Sequence, residues 1–351
     1  MAAIEARDAM SESTRSSVLI VIVNYRTAAL VTNCLRSLAP EIAANPGTRV
    51  EVIDNASGDG SLEAIEQAIK SYGWSAWATA TSSGLNGGFA FGNNVVLRRA
   101  LESEQVPDIF WLLNPDTEVR LGALGAMLGF MHEHPEAGIV GSAIAEEGEE
   151  LWPFAFRFPS LWSEFESGLQ LGVASRLLRR HVVTQRMTDR PAQVDWVSGA
   201  SVFVRRELFE SIGLMDEDFF LYFEETDLCL RAARAGWACW YAPLGLVMHI
   251  AGQSTGVTAK REVPIRRPRY WFESRRRYFA KNHGWWYAAA ADLLWMSSHA
   301  VWRLRRILQR KRDPDPPRLL ADFLRYSALL HWHLPENTAL TTRPTAPRAS
   351  A

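Results

Sequence analysis

The residues Ile109-Phe110-Trp111-Leu112-Leu113 form an apolar run that stops abruptly at Asn114-Pro115-Asp116. A run this short, bounded by proline, suits a strand buried on both faces better than a helix. Pro115 has no N–H to give a neighbouring strand, so the chain has to turn outward there. Asp116 is then left at the carboxyl end of a buried strand, where open α/β sheets place their ligands. A carboxylate at such a position suits a hard divalent cation that also holds phosphate oxygens. Taken alone, Asn-Pro-Asp is equally well ordinary turn chemistry.

The rest of the chain repeats this alternation. Val18–Val23 reads as a strand covered on both faces, and Thr27 is placed to cap a helix running to about Leu38. Arg49–Ile53 reads as a second strand, ending in a loop dense in turn formers from Asp54 to Ser61 and a helix to about Ser71. Trp74–Thr79 reads as a third strand. A glycine-rich stretch, Ser82–Asn94, feeds a helix through about Leu101, and a helix over about 121–134 follows the 109–113 strand. Gly138–Ala145 reads as a strand, 146–162 as an irregular aromatic and proline-rich excursion, and Asp195–Val204 as a turn entering a strand. Arg205–Ile212 is a short helix closed by Gly213, the helix that begins near Glu224 ends at Gly236, and Trp240–His249 is strand-like. Strands alternating with helices through short loops specify an α/β fold with a mainly parallel sheet flanked by helices.

The composition, 48% hydrophobic and 22% charged, is that of a soluble globular protein. Three cysteines with no CxxC spacing argue against a disulfide framework or a zinc site and for a reducing cytoplasm. The net charge of −1 conceals a split: Lys260–Arg318 carries 16 Lys/Arg against 5 Asp/Glu. With the polar ends, that asymmetry divides the chain into a disordered leader (1–16), a globular body (17–258), a basic Trp/Arg-rich helical extension (259–335) and a disordered polar tail (336–351). Trp285–Trp302 is borderline for crossing a bilayer, being interrupted by Asp292, Ser297, Ser298 and His299. Its arginine and tryptophan flanks suit an interfacial helix on an anionic inner leaflet; a helical pair packed on the body or on a second copy is the alternative. No nucleic-acid-binding module is recognisable, so nucleic acid is not an expected partner.

Three carboxylates, Glu224, Glu225 and Asp227, stand at the start of one helix, where the helix dipole favours anions. The preceding Phe219-Phe220-Leu221-Tyr222-Phe223 argues for more than a solvated turn. Apolar packing raises a carboxyl pKa toward the range of a useful general base. Asp54 at a strand end is placed to accept from a base or ribose, or simply to lead a helix. Gly84, Gly87, Gly88 and Gly92 would let backbone approach phosphates closely. Neither a GxGxxG nor a P-loop spacing is present. His249, His132 and His134 read as structural from the residues alone.

Taken in order, these pieces resemble the family 2 inverting glycosyltransferases of GT-A fold, across roughly residues 17–255. The resemblance is carried by Val21-Ile-Val-Asn-Tyr-Arg26, Val52-Ile-Asp-Asn-Ala-Ser-Gly-Asp-Gly-Ser61 and Asn86-Gly-Gly-Phe-Ala-Phe-Gly-Asn-Asn94. Leu112-Leu-Asn-Pro-Asp116, Trp196-Val-Ser-Gly-Ala200, Phe219–Arg231 and His249 complete it, with the rhamnosyltransferase-like branch that builds bacterial cell-surface polysaccharides the most similar. The resemblance implies a Rossmann-like mixed sheet. It also implies a donor site of Asn24, Arg26, Asp54, Asn86, Asn114 and Asp116 for a dTDP- or UDP-sugar. Asp116 and His249 would hold Mg²⁺ or Mn²⁺, with Asn114 standing where the family often has a first aspartate. Glu225 falls where the catalytic base is usually Asp, with Glu224 its alternative, and Trp196 and Asp227 fall on the acceptor side. The implied reaction is inverting transfer of a sugar, L-rhamnose the first candidate, to a hydroxyl of a glycan or lipid-linked acceptor at the cytoplasmic face of the membrane. A homo-oligomer is compatible with this reading. The alternative is an inactive nucleotide-sugar-binding or membrane-surface scaffold.

Overall fold

The computed structural model describes residues 16–145, 151–152, 154–249 and 265–341. The expected leader, the 146–150 excursion and the Gly/Ser/Thr-rich stretch after His249 lie outside the described residues.

The strands are β1 (Val18–Asn24), β2 (Thr48–Asp54), β3 (Ala78–Ser82), β4 (Ile109–Leu113), β5 (Thr117–Val119), β6 (Ala137–Ala145), β7 (Leu151–Trp152), β8 (Phe154–Phe156), β9 (Thr184–Arg186), β10 (Ala192–Val194), β11 (Ser201–Arg205) and β12 (Ala238–His249). The helices are α1 (Ala28–Ala44), α2 (Ser61–Ser71), α3 (Gly88–Leu101), α4 (Ala123–Glu133), α5 (Leu161–Leu169), α6 (Gly172–Leu177), α7 (Arg206–Ile212), α8 (Glu224–Arg234), α9 (Arg269–His283), α10 (Trp285–Leu308), α11 (Leu319–Arg325) and α12 (Thr338–Thr341).

One mixed sheet runs in the order β10-β12-β6-β11-β4-β1-β2-β3, with β5 on β12 and β7 on β6. Strands β4, β1, β2 and β3 are mutually parallel, and β11 runs antiparallel between β4 and β6. Strand β1 shows why its sequence is apolar throughout. Val18, Ile20 and Ile22 belong to the core on one face, and Leu19, Val21 and Val23 to the core on the other. Both faces are helix-covered, so neither register of the pleat tolerates a polar residue.

Three local expectations are corrected. Helix α1 runs six residues past Leu38 to Ala44, through Pro40, because Glu41 and Ile42 are also buried. The buried Glu41 carboxylate accepts from the amides of Gly122 and Leu124, satisfying the N-terminus of α4. Thr27 precedes α1 but makes no side-chain cap; its hydroxyl donates to Asn24 Oδ1 at 2.9 Å. The third strand begins at Ala78 rather than Trp74, because Trp74 N–H caps the end of α2 on Ile69 O and its ring stacks on Tyr72.

The C-terminal helices pack on the body. Helix α10 lies along α5, close enough that a Cβ at Gly168 would stand 2.6 Å from Trp295 O. The Arg275-Arg276-Arg277 triplet, read from sequence as part of a basic surface, is buried. Arg275 pairs with Glu164 at 2.6 Å and with Asp292, and Arg277 pairs with Asp216 and Asp218. The polar tail expected from 336 starts with a placed stretch: Asn337 is buried and donates to Gly87 O and Glu217 O. No described helix is long and apolar enough to cross a membrane.

Candidate active site

The carboxyl ends of β1, β2 and β4 open on a cavity of about 540 Å³. At the β1/β2 edge, Asp54 is buried and its carboxylate accepts three hydrogen bonds. Asn24 Nδ2 donates to Oδ1 at 2.7 Å, Ser57 Oγ donates to the same oxygen at 2.5 Å, and Ser57 N–H donates to Oδ2 at 3.0 Å. Arg26, at φ +59°, donates its amide to Ser57 Oγ and its Nε to Ser57 O. Asn24, Arg26, Asp54 and Ser57 thus form one hydrogen-bonded unit that shapes the strand ends. The cavity wall itself is made there by their neighbours Tyr25 and Asn55. Asn55, which the sequence reading did not single out, donates from Nδ2 to Gly88 O at 2.8 Å, and its Oδ1 is buried with no hydrogen-bond partner.

Gly88 begins α3 at φ +88°, and Phe89 N–H donates to Phe220 O at 3.0 Å. A Cβ at Gly88 would overlap that carbonyl oxygen, so only glycine permits the approach. Asn86, Gly88 and Phe89 all line the cavity.

A β-ladder assembles the next pair. Strand β5 pairs with β12 so that Thr117 lies opposite His249, and this brings His249 Nε2 to 3.3 Å from Asp116 Oδ1. Asp116 is buried, His249 lines the cavity, and Asn114 stands beside them on the wall. Among the described residues no group of three or more His, Cys, Asp or Glu converges to hold a metal. One carboxylate oxygen and one imidazole nitrogen are a donor set that fits Mg²⁺ or Mn²⁺ when phosphate oxygens complete the shell.

Glu224 and Glu225 enter the cavity by an unusual turn. Tyr222 and Phe223 both have φ +70°, a left-handed conformation that costs non-glycine residues about 1–3 kcal/mol each. Phe223 is held against Tyr278 and Trp271, and Tyr222 against Tyr270. Glu224 is buried and Glu225 half-buried, and Oε2 of each has no hydrogen-bond partner. Burial raises the Glu225 pKa, with its own amide and the Gly199 amide opposing the shift. Burial and the neighbouring Glu225 charge push Glu224 well above the ordinary carboxylate range.

The glycosyltransferase like family 2 model matches residues 15–280. The chain belongs to this family. The "N-acetylglucosaminyl-diphospho-decaprenol L-rhamnosyltransferase" of Mycobacterium tuberculosis is 28% identical over 312 residues, 83% of this chain and 95% of that one. Among solved structures, the mannosyltransferase PcManGT from Pyrobaculum calidifontis in complex with GDP-Man and Mn²⁺ aligns with a TM-score of 0.52 at 17% identity, over 93% of this chain and 84% of that chain. GalNAc-T7 with UDP, GalNAc and Mn²⁺ aligns at 0.54 and 13% identity, over 92% and 59%. These likenesses agree with the mixed, mainly parallel sheet: the fold is GT-A.

Two residues of this glycosyltransferase expected on the acceptor side sit away from the cavity lining. Trp196 stacks on Phe156 at 4.1 Å and donates Nε1 to Arg157 O. Asp227 is fully buried, and its carboxylate accepts from Arg231 (2.9 Å), Lys281 (2.8 Å) and Asn282 (2.8 Å). The aromatic residues that do line the cavity are Tyr25, Phe89, Phe220, Tyr222 and Tyr270. Tyr270 belongs to α9, so a helix from the basic extension supplies a wall of the site.

Proposed function

We propose that this glycosyltransferase moves a sugar from a nucleoside diphosphate to a lipid-linked acceptor hydroxyl with inversion at the anomeric carbon, using a divalent cation. L-rhamnose from a dTDP donor and an N-acetylglucosaminyl diphospholipid acceptor are the first substrates to test, by analogy with the named activity of the mycobacterial relative. The carrying observation is that Glu224, Glu225 and His249, the last 3.3 Å from Asp116, line one cavity.

Burial raises both adjacent carboxyls, so they titrate as a pair that favours holding one proton between them, and Glu225, the half-buried one, is the better solvated to carry the charge. Glu225 therefore acts as the base. Its free oxygen takes the proton of the acceptor hydroxyl as that oxygen bonds to the anomeric carbon. The bond from that carbon to the diphosphate breaks in the same displacement, and the electron pair leaves on the nucleoside diphosphate. Asp116 and His249 would hold Mg²⁺ or Mn²⁺, which when bound neutralises charge on the departing diphosphate. Tyr222, Tyr270 and Phe220 offer flat faces for sugar rings. A lipid-linked acceptor would be met at a membrane surface, for which we propose the cytoplasmic face.

The test is nucleotide release by the purified protein over a panel of dTDP- and UDP-sugars, each with Mn²⁺, Mg²⁺ and EDTA. Cation-dependent turnover of one donor, lost in Glu225→Gln, is the expected result. Binding of a donor with no turnover on any acceptor, membrane extract included, would instead establish an inactive nucleotide-sugar binder.

A further inference from the structure

Helix α10 has 24 residues and spans about 36 Å. Its inner side, with Ala288, Ala291, Trp295, Ser298 and Trp302, is buried on the body. Its outer side carries Trp286, Leu293, Val301, Leu304, Ile307 and Leu308, between 57% and 76% exposed. At 100° per residue these six fall within one arc of about 120°, so they form a stripe and not scattered exposures. Asp292 is the only acid in the helix, and it is buried, held by Arg275 and the Ala328 amide.

The stripe has continuations at both ends. Trp332, 67% exposed, meets the Trp286 ring edge-on at 5.9 Å. Near the other end, Arg305 Nη2 donates to Gln170 O, bringing α6 alongside with Val173 and Leu177 exposed at 64% and 80%. Cations border this end: Arg310, Lys311 and Arg312 beyond α10, and Arg176, Arg179 and Arg180 within and beyond α6, all exposed, while the exposed acid beside them, Asp313, is paired with Arg306. A contiguous apolar patch of this kind on a protein surface marks an interaction site. An apolar stripe with tryptophan at one end and cations at the other matches an anionic lipid interface, where apolar side chains enter the acyl boundary and cations meet headgroups. A second copy docked isologously would bring the same cationic rim to both sides with no acid on the stripe to meet it.

We propose that the outer face of α10, together with α6 and Trp332, docks in the plane of an anionic lipid surface. The proposal gives the lipid-linked acceptor reading a physical seat, and rests on that reading only for its biological purpose. Helix α9, joined to α10 through Gly284, carries Tyr270 of the cavity wall, so one helical hairpin links the docked face to the active site.

The test uses the full chain, sedimented with phosphatidylcholine vesicles made with and without phosphatidylglycerol, at low and high salt, with light scattering in parallel. Binding to the anionic vesicles that weakens with salt is expected. Leu304→Glu/Leu308→Glu and Arg310→Glu/Arg312→Glu should each lower partitioning by about tenfold or more. Both variants should keep the wild-type melting temperature and nucleotide release with a water-soluble acceptor, because the altered side chains are exposed and none of them lines the cavity. A wild-type chain that ignores anionic vesicles, or variants that bind as well as wild type, would overturn the proposal. So would a dimer that Leu304→Glu splits, which would assign the stripe to a second copy. Vesicle binding is read independently of turnover, so an inactive protein that still docks would sink the catalytic reading and leave this one standing.

Discussion

Gly88→Ala tests whether the approach of two backbones sets the position of Glu224 and Glu225, the proposed catalytic carboxylates. The glycine sits at φ +88°, where an alanine pays about 1–2 kcal/mol for the left-handed conformation. The new Cβ would also overlap Phe220 O and stand 2.6 Å from the Phe220 carbonyl carbon, against an ordinary separation of about 3.5 Å. The two segments must part by about 1 Å, which breaks the Phe89 N–H to Phe220 O hydrogen bond, worth about 1 kcal/mol. The total is about 3 kcal/mol of stability. The displacement falls on a segment only four residues ahead of Glu224, and a misplacement of about 1 Å at reacting groups costs roughly a hundredfold in rate. Gly236→Ala is the control, with φ +89° but nothing within 4 Å of its Cβ, so it carries the conformational cost alone. Denaturant titration and nucleotide release measure both variants. If Gly88→Ala loses no more stability than Gly236→Ala and turns over at the wild-type rate, the close approach is not what positions the carboxylates.

If Glu225 is the base, as proposed, it must be ionised to act, and because burial raises its pKa above 4.5 the acidic limb of a turnover–pH profile should have its midpoint above that value; a midpoint at or below it would remove Glu225 as the base. Glu224, whose pKa is raised in the folded protein, contributes most to stability below its unfolded value of 4.5 and progressively less as pH rises toward the folded one. Glu224→Gln should therefore melt like wild type in acid and above it at neutral pH, as followed by thermal scans across pH. His249→Ala should raise the Mn²⁺ or Mg²⁺ concentration for half-maximal turnover by at least about tenfold, the scale at which even outer-shell changes act on a metal site; an unchanged cation titration would free His249 of that role. Asp227→Ala removes the carboxylate shared by Arg231, Lys281 and Asn282, although Lys281 keeps Asp216 and Arg231 keeps the Ile212 and Leu214 carbonyls, and should cost about 1–3 kcal/mol in denaturant titration, with no selective rise in acceptor KM.

What the sequence made legible follows from which forces act locally. Strand 109–113 and helix 61–71 match to the residue because an apolar run and a turn-rich loop bound them within the segment itself. Trp74 misled because its apolar ring and its N–H both serve the end of α2, a tertiary use that residue type does not announce. Asp116 was legible from its position after β4, whereas its closeness to His249 depends on β5 pairing with β12 and came only through resemblance. The two left-handed residues before Glu224 carry no sequence signal, since tyrosine and phenylalanine ordinarily avoid that conformation. Asp227 looked like one of three equivalent carboxylates, and only the arrival of Lys281 and Asn282 from α9 separates it from the other two.

The same long-range pairing changes what the basic segment means. By sequence its charge is most concentrated at Arg275-Arg276-Arg277, yet those guanidinium groups are buried, and Glu164, Asp292, Asp216 and Asp218 neutralise two of them. Burial opposes ionisation of Asp216, but the hydrogen bonds from Lys281 and Arg277 outweigh it and hold that carboxyl below its ordinary value. Lys281 bridges Asp216 to Asp227, so the loop entering α8 and the first turn of that helix are both tied to α9. These cations therefore fix the geometry around Glu224 and Glu225 and contribute little to the outer field, since a buried pair is largely neutral at a distance. Among the described residues, the exposed cations beside the apolar stripe are those at Arg310–Arg312 and around α6. Counting charge along the chain does not separate buried arginines from exposed ones, and attraction to a membrane depends on which cations remain without a carboxylate once the helices have packed.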